Sequence, residues 1–199
     1  EELIERVVGN GMLKATVDYE QARDSDIWMI CVQTPFDTLE MRPNFKALSG
    51  AIKEIGSVMK KGSVVIVEST IPPGTMSGDV KRWLEEESGL IAGEDFGLGH
   101  CPERVMPGRL IDNLTSYGRA IGGIDEETHR VMSEIYAKIT SGKLTKVDMK
   151  TAEVVKTFEN TYRDAEIAIA NDFAKYCDAI GVDFFEVRDM VNTVESRNL

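Results

Sequence analysis

The stretch of sequence that decides the fold is VVIVESTIPPGT, residues 64–75. Its first four residues are β-branched, and a short run of this kind is typical of a strand that is buried on both faces, as in a parallel sheet. The run ends at Glu68 and the hydroxyl side chains of Ser69 and Thr70, and Pro72 and Pro73 then prevent further strand pairing. In open α/β sheets, ligands bind where parallel strands end, so these polar residues predict a site.

Two other segments share this design. DIWMICV, residues 26–32, is followed by QTP at residues 33–35, and the weaker run FGLGH, residues 96–100, is followed by CPER at residues 101–104. Each segment taken alone is better explained by an ordinary strand-to-loop connection. Together, the three polar ends predict one shared site along one edge of a sheet.

Helical and strand patterns alternate over the first three quarters of the chain. Apolar residues spaced by three or four predict a helix over residues 45–59. The remaining predictions are strands at 13–18, 27–32, 63–67, 96–101, 117–122 and 142–147, helices at 75–87 and 125–139, and loops at 35–43 and from 102 to 116. This order predicts an α/β fold with a mostly parallel, doubly wound sheet.

The pattern changes after residue 148. Neither glycine nor proline occurs from Asp148 to Ile180, which predicts one helix of about nine turns. A helix of this length is expected to cross between domains or to pack against a partner subunit. Gly181 ends it, and a second helix is predicted over residues 184–194. We therefore predict two domains, 1–148 and 149–199.

A stripe of basic and amide side chains follows one face of the long helix. Lys156 and Asn160 are four residues apart, and Arg163 lies three residues further on. Such a donor-rich stripe suits a ligand that is negatively charged or becomes so during a reaction. The alternative is a solvated face, on which carboxylates such as Glu153 and Glu159 pair with the basic residues. Helix geometry alone favours the solvated face, because surface ion pairs are common and weak, and the ligand-binding stripe stays open as the alternative.

Composition excludes several classes of function. The formal net charge of −11 argues against binding nucleic acid through its phosphates. No apolar run approaches the roughly 20 residues that span a membrane, and two histidines far apart do not predict a metal site. Three widely spaced cysteines, Cys31, Cys101 and Cys177, fit neither a disulfide framework nor a zinc pattern. They predict a reducing, cytoplasmic setting, and we expect all three to be buried.

Four segments, in the right order and spacing, resemble the nucleotide-sugar 6-dehydrogenases, the family of UDP-glucose 6-dehydrogenase. They are VQTPFD at 32–37, ESTIPPG at 68–74, CPERVMPG at 101–108 and KTFENTYRD at 156–164. The third and fourth look closest to the UDP-N-acetylmannosamine dehydrogenase branch. The resemblance covers essentially the whole chain. It implies that residues 1–148 are the remainder of a Rossmann-like NAD-binding domain and that residues 149–199 form a central helical domain.

The resemblance also implies an activity. The family uses NAD to oxidise the C6 alcohol of a UDP-sugar twice, through an aldehyde and a cysteine-bound thioester, to a uronic acid for polysaccharide biosynthesis. A homodimer through residues 149–180 is a further implication. By this resemblance, Thr34 and Glu68 bind NAD, Thr70 places a water and Glu103 acts as the acid/base. Lys156 and Asn160 stabilise the oxyanion. Weaker candidates for contacts to the anionic substrate are Arg104, Arg109 and Arg163.

Two family features are expected outside this sequence. The glycine-rich phosphate loop belongs upstream of Glu1, and the nucleophilic cysteine belongs downstream of the segment at 192–197. We therefore expect a piece of a longer protein that is inactive by itself. Three alternatives stay open: UDP-glucose 6-dehydrogenase itself, a non-catalytic dimerisation module built on the long helix, and a β-hydroxyacid dehydrogenase of the 6-phosphogluconate type. The ESTIPPG and CPER segments argue against the last of these.

Overall fold

The computed structural model describes residues 2–106, 108–194 and 199. Residue 107 of the CPERVMPG segment and residues 195–197 of the segment at 192–197 lie outside this description. The helices are α1 Glu2–Gly9, α2 Lys46–Val58, α3 Lys81–Ser88, α4 Leu110–Ser116, α5 Glu126–Tyr136, α6 Met149–Ile180 and α7 Phe184–Val191. The strands are β1 Ile27–Ile30, β2 Phe36–Asp37, β3 Arg42–Pro43, β4 Val64–Val67, β5 Gly97–His100, β6 Arg119–Gly123 and β7 Leu144–Val147. The chain divides into two compact units, Glu1–Val154 and Val155–Leu199, and the division falls inside α6.

A five-stranded sheet in the order β1-β4-β5-β6-β7 organises the first unit. The pairs β1/β4, β4/β5 and β6/β7 are parallel, which confirms the mostly parallel sheet. β6 departs from this pattern because it pairs antiparallel with β5. An antiparallel strand starts at the edge where its partner ends. The connection from β5 to β6, with α4 inside it, therefore begins and ends at the carboxyl end of β5, where the predicted site lies.

The sheet separates two apolar cores, and β4 contributes to both. All four residues of β4 are buried, as the VVIV run predicts. Val65 and Val67 pack with α2 on one face, whereas Val64 and Ile66 pack with α5 on the other. Gly99 of β5 allows α5 to approach closely, because a Cβ at this position would overlap the sulfur of Met132.

Three local predictions are wrong. Residues 13–18 form no strand, since the Asp18 amide donates to Thr16 Oγ1 at 3.0 Å and the Glu20 amide donates to Asp18 Oδ1 at 3.1 Å. Such local bonds compete with strand pairing, and here they lead into a 3₁₀ turn at Tyr19–Ala22. The predicted loop at 35–43 contains the short hairpin of β2 and β3, and the predicted loop at 102–116 contains α4.

The second unit consists of the greater part of α6 together with α7. The 32 residues of α6 confirm the long uninterrupted helix. Large apolar side chains are exposed on both helices; they include Phe158 at 69%, Tyr162 at 68%, Phe173, Tyr176 and Phe185. Among the residues described, no helix combines the length and apolar character needed to cross a bilayer.

One histidine is fully buried in the first unit. His100 Nδ1 lies 2.8 Å from the carbonyl oxygen of Val67, so this nitrogen carries the proton and donates it. Its Nε2 has no hydrogen-bond partner among the described residues. Burial lowers the pKa of His100 from 6.5 to about 4, and the hydrogen bond to the Val67 carbonyl offsets only part of this effect.

This pKa predicts a loss of stability in mild acid. The unfolded chain binds a proton at His100 below pH 6.5, whereas the folded chain does not until about pH 4. Between pH 7.5 and 5.5 this one group should therefore lower the free energy of unfolding by about 1 kcal/mol. The measurement is urea unfolding of wild type and His100→Asn at both pH values, because asparagine keeps an N–H near Val67 but does not titrate. Equal pH dependence in the two proteins would contradict the prediction.

Candidate functional site

A cleft of about 460 Å³ opens where β1, β4 and β5 end. These strands are parallel neighbours, so their carboxyl ends lie along one edge of the sheet. The structure thus brings Thr34, Glu68, Thr70 and Glu103 into one cleft wall. The lining residues are Cys31, Val32, Gln33, Thr34, Glu68, Ser69, Thr70, Glu103, Val105, Leu110 and Leu114.

Hydroxyl groups tie the end of β1 to the end of β4. Ser69 Oγ accepts a hydrogen bond from the Val32 amide at 2.9 Å and donates to the Val32 carbonyl at 2.7 Å. Further along both segments, the Thr34 hydroxyl donates to the Thr70 carbonyl at 2.6 Å. The hydroxyls of Ser69 and Thr34 therefore link the two segments beyond the strand ends, where the prolines prevent backbone pairing. These bonds hold the segments after β1 and β4 together as one wall of the cleft.

Backbone bonds extend the wall toward β5. The Glu68 amide donates to the Ile30 carbonyl at 2.9 Å, and the Glu103 amide donates to the Glu68 carbonyl at 3.2 Å. Glu68 is thus bonded on one side to β1 and on the other to the segment after β5. This places two carboxylates, Glu68 and Glu103, on adjacent connections.

The Glu68 carboxylate has a donor at each oxygen. The Tyr136 hydroxyl donates to Oε1 at 2.5 Å, and the Cys31 thiol donates to Oε2 at 3.6 Å. Burial raises the pKa of Tyr136 far above its usual value, so the hydroxyl keeps its proton. Burial and the charge of Glu68 raise the pKa of Cys31 to about 11. The expectation that Cys31 is buried is wrong, because it follows the end of β1 and is exposed, whereas Cys101 and Cys177 are buried as expected.

Glu103 offers an acceptor that the described residues leave open. The residue is half-buried, and its Oε1 atom is buried with no hydrogen-bond partner among them. A buried polar atom of this kind calls for a functional explanation, since nearly all such atoms in folded proteins are bonded. The charged side chains in the described wall are Glu68 and Glu103, both acidic. The cleft therefore favours a positively charged or proton-donating ligand group.

Helix α4 supplies the apolar side of the cleft and was missed from the sequence. Leu110 and Leu114 line the cleft one helical turn apart. Asn113, which lies between them in sequence, is buried. Its Oδ1 accepts a hydrogen bond from the Met106 amide at 2.8 Å, which ties α4 to the segment before it. The i, i+4 spacing of the two leucines was the available signal, but it is short for a confident helix assignment.

The arginine candidates lie outside the described wall of the cleft. Arg104 donates from its guanidinium to the Gly118 carbonyl at 2.7 Å, and Arg109 is exposed just before α4. Lys156, Asn160 and Arg163 belong to α6 in the second unit, where Lys156 is half-buried and the other two are exposed. The roles assigned to all five residues stay predictions.

A buried carboxylate anchors the segment that follows Thr70. Glu153 is 1% exposed and accepts hydrogen bonds from the Gly74 amide at 2.5 Å and the Met76 amide at 2.7 Å. These amides lie at the start of a π-helical turn, Met76–Val80, which continues into α3. Burial raises the pKa of Glu153. The sequence placed this residue on a solvated face, and the structure corrects that interpretation.

Two protein-family models match this chain, one in each part of it. Residues 1–140 match the NAD binding domain of the UDP-glucose/GDP-mannose dehydrogenase family, and residues 150–198 match the central domain of the same family. UDP-N-acetyl-D-mannosamine dehydrogenase of Pyrococcus horikoshii is 40% identical over 190 residues, covering 96% of this chain and 45% of that protein. The corresponding enzyme of Campylobacter jejuni is 36% identical over 197 residues, which cover 96% of this chain and 47% of that protein.

Solved structures agree. A structure of the Pyrococcus horikoshii UDP-D-ManNAc dehydrogenase superposes with a TM-score of 0.92 at 39% identity, covering 98% of this chain and 46% of that one. A ternary complex of Pseudomonas aeruginosa GDP-mannose dehydrogenase gives 0.91 at 29% identity, covering 99% and 46%. The chain spans less than half the length of these relatives. The two domain matches and the shared fold show that the chain belongs to the UDP-glucose/GDP-mannose dehydrogenase family.

Proposed function

We propose that the complete protein oxidises the C6 alcohol of UDP-N-acetylmannosamine to the uronic acid with NAD. The observation that carries this proposal is the convergence of Thr34, Glu68, Thr70 and Glu103 on one cleft in a chain of this family. The relatives of matching name support the choice of substrate. UDP-glucose is the second candidate, since a UDP-glucose dehydrogenase of Pyrobaculum islandicum shares the fold at 27% identity.

NAD is the cofactor of this family's first domain, and the residues of the cleft fit it. NAD, when bound, accepts hydride from the alcohol carbon. Its oxidised nicotinamide ring is a cation, which the carboxylate of Glu68 in the wall attracts. Thr34 and Glu68 would hold this end of the cofactor, with Leu110 and Leu114 excluding water from the other side.

Glu103 and Thr70 are proposed to handle the proton and the water. Glu103 holds its buried Oε1 without a partner among the described residues, so a substrate hydroxyl or a water can donate to it. A carboxylate in this position can accept the proton that the reacting oxygen loses. Thr70, on the adjacent connection, offers a hydroxyl that orients a water.

Lys156 and Asn160 are proposed to stabilise the negative charge that develops on the reacting oxygen. An ammonium and an amide act this way when they are aimed at the developing charge. Lys156→Ala in the complete protein should lower kcat by about 100-fold, with a smaller effect on the KM for the sugar. Steady-state NADH absorbance measures both constants, and Lys175→Ala, an exposed lysine on the same helix, is the control. Unchanged turnover would remove Lys156 from the mechanism.

A homodimer through residues 149–180 is part of the proposal. The exposed aromatic side chains of α6, among them Phe158, Tyr162 and Tyr176, form an apolar surface that a second copy would cover. Light scattering of the purified chain tests this, and a dimer mass is expected. A dimer without dehydrogenase activity in the complete protein would favour the alternative of a non-catalytic dimerisation module.

The deciding experiment offers the complete protein NAD with a panel of nucleotide sugars. The panel contains UDP-N-acetylmannosamine, UDP-N-acetylgalactosamine, UDP-glucose and GDP-mannose. Conversion of an alcohol to a carboxylic acid reduces two molecules of NAD for each sugar consumed. We expect this ratio, with the highest kcat/KM for UDP-N-acetylmannosamine. Absence of NAD reduction with every sugar would overturn the proposal. A preference for UDP-glucose would mean that UDP-glucose, not UDP-N-acetylmannosamine, is the substrate.

A further inference from the structure

A tyrosine outside the cleft wall is hydrogen-bonded to a carboxylate inside it. Tyr136 is the last residue of α5, 68 positions from Glu68, and its side chain is fully buried. Its hydroxyl donates to Glu68 Oε1 at 2.5 Å. Tyr136 lies in the core between the sheet and α5, where it packs with Ile66 and Cys101, and its hydroxyl reaches Glu68 from that side.

The tyrosine is itself held in place. Arg119 is 6% exposed, and its guanidinium carbon lies 5.1 Å from the centre of the Tyr136 ring. The Cys101 side chain is fully buried in the same core cluster as Tyr136. The Arg119 cation lies over the face of the ring, and the hydroxyl at the end of the ring donates to Glu68.

In this arrangement the two oxygens of the Glu68 carboxylate differ: Tyr136 binds Oε1, and Oε2 lies on the side of the cleft. Glu68 is half-buried and lies at the end of a rigid strand, but its own side chain has several rotatable bonds. A glutamate without a fixed partner at a cleft edge would turn toward water. The hydroxyl of Tyr136 binds Oε1 and thereby leaves Oε2 on the side of Cys31, which lines the cleft.

We infer that Tyr136 is a positioning residue that fixes the Glu68 carboxylate for cofactor binding. The inference rests on the proposed function, which assigns Glu68 to the NAD pocket. A preorganised side chain loses less rotamer freedom when a ligand binds than a mobile one does. Removing the hydroxyl should therefore weaken NAD binding without touching the chemistry of hydride transfer.

The test uses the complete protein and calorimetric titration with NAD. Tyr136→Phe keeps the ring and its contact with Arg119, and it should raise the Kd of NAD by about 10-fold while kcat at saturating NAD changes less than about threefold. Tyr19→Phe is the matched control, because Tyr19 packs against the core on the other face of the sheet. It should bind NAD as wild type does.

A double-mutant cycle separates positioning from general destabilisation. If Tyr136 acts through Glu68, Tyr136→Phe should have no further effect on the Kd in a Glu68→Ala background. A full additional loss in that background, or a wild-type Kd for Tyr136→Phe alone, would overturn the inference. A wild-type Kd for Glu68→Ala would instead overturn the assignment of Glu68 to the pocket, and with it this part of the proposed function.

A second variant serves if Tyr136→Phe does not fold, which its thermal unfolding curve will show. Glu68→Asp keeps the charge, but its shorter side chain cannot reach the Tyr136 hydroxyl from the same backbone position. We expect it to weaken NAD binding about as much as Tyr136→Phe. Wild-type affinity in Glu68→Asp would overturn the inference.

Discussion

Glu103→Gln in the complete protein is expected to lower kcat by about 1000-fold, within the range typical of a lost general acid or base. The glutamine keeps the shape of the side chain, so the loss isolates proton transfer from packing. Oε1 of Glu103 is buried without a partner among the described residues, so the carboxylate can accept the proton of the reacting oxygen, which a glutamine side chain cannot do. The Kd of NAD should stay within about threefold of wild type, since the substitution removes a reaction step and little binding energy.

The measurement is initial-rate NADH formation with saturating UDP-N-acetylmannosamine, together with the Kd of NAD. Glu94→Gln provides the control, because Glu94 is an exposed glutamate of the same unit outside the cleft wall. Its kcat should equal that of wild type. If Glu103→Gln keeps a kcat within about threefold of wild type, Glu103 is not the acid/base of the reaction.

Glu153→Ala should lower the free energy of unfolding by about 3 kcal/mol, the largest stability effect that we predict. The substitution leaves the Gly74 and Met76 amides without their acceptor in a buried place. Glu153→Gln should recover only part of this stability. Its amide carbon carries one oxygen and one nitrogen, so one of the two backbone N–H groups would face another donor.

Urea unfolding of the chain, followed by circular dichroism, measures both losses. Glu54→Gln is the control for removing a negative charge, because Glu54 is exposed on α2. This substitution should change stability by less than about 0.5 kcal/mol, as most surface changes do. Glu153→Ala with wild-type stability would mean that the two hydrogen bonds contribute nothing measurable.

Much of the fold could be predicted because it depends on local pattern. The VVIV run at 64–67 is buried on both faces, and the absence of glycine and proline from 148 to 180 corresponds to one helix over 149–180. The strands that begin at residues 27, 64 and 97 are each followed by polar residues. They are parallel neighbours in the sheet, so these polar residues meet at one edge as predicted. Such signals lie within a few residues of one another, so a single sequence contains them.

What could not be predicted depends on contacts between distant residues. Tyr136 donates to Glu68 across 68 positions, and Glu153 accepts from Met76 across 77 positions. Nothing near Tyr136 or Glu153 in sequence distinguishes them from a core aromatic residue and a surface carboxylate. The antiparallel direction of β6 belongs to the same class, because it follows from where the segment after β5 turns back. The candidate site residues were predicted from whole motifs, whereas Tyr136 and Glu153, which are hydrogen-bonded to this part of the chain, carry no motif.

The most direct test of the central claim is a crystal structure of the complete protein with NAD and UDP-N-acetylmannosamine bound. We predict that the nicotinamide ring lies in the cleft at the ends of β1, β4 and β5, in contact with Thr34 and Glu68, with the sugar C6 oxygen within hydrogen-bond distance of Glu103. A nicotinamide ring bound elsewhere on the protein, with the cleft filled by water alone, would contradict the account.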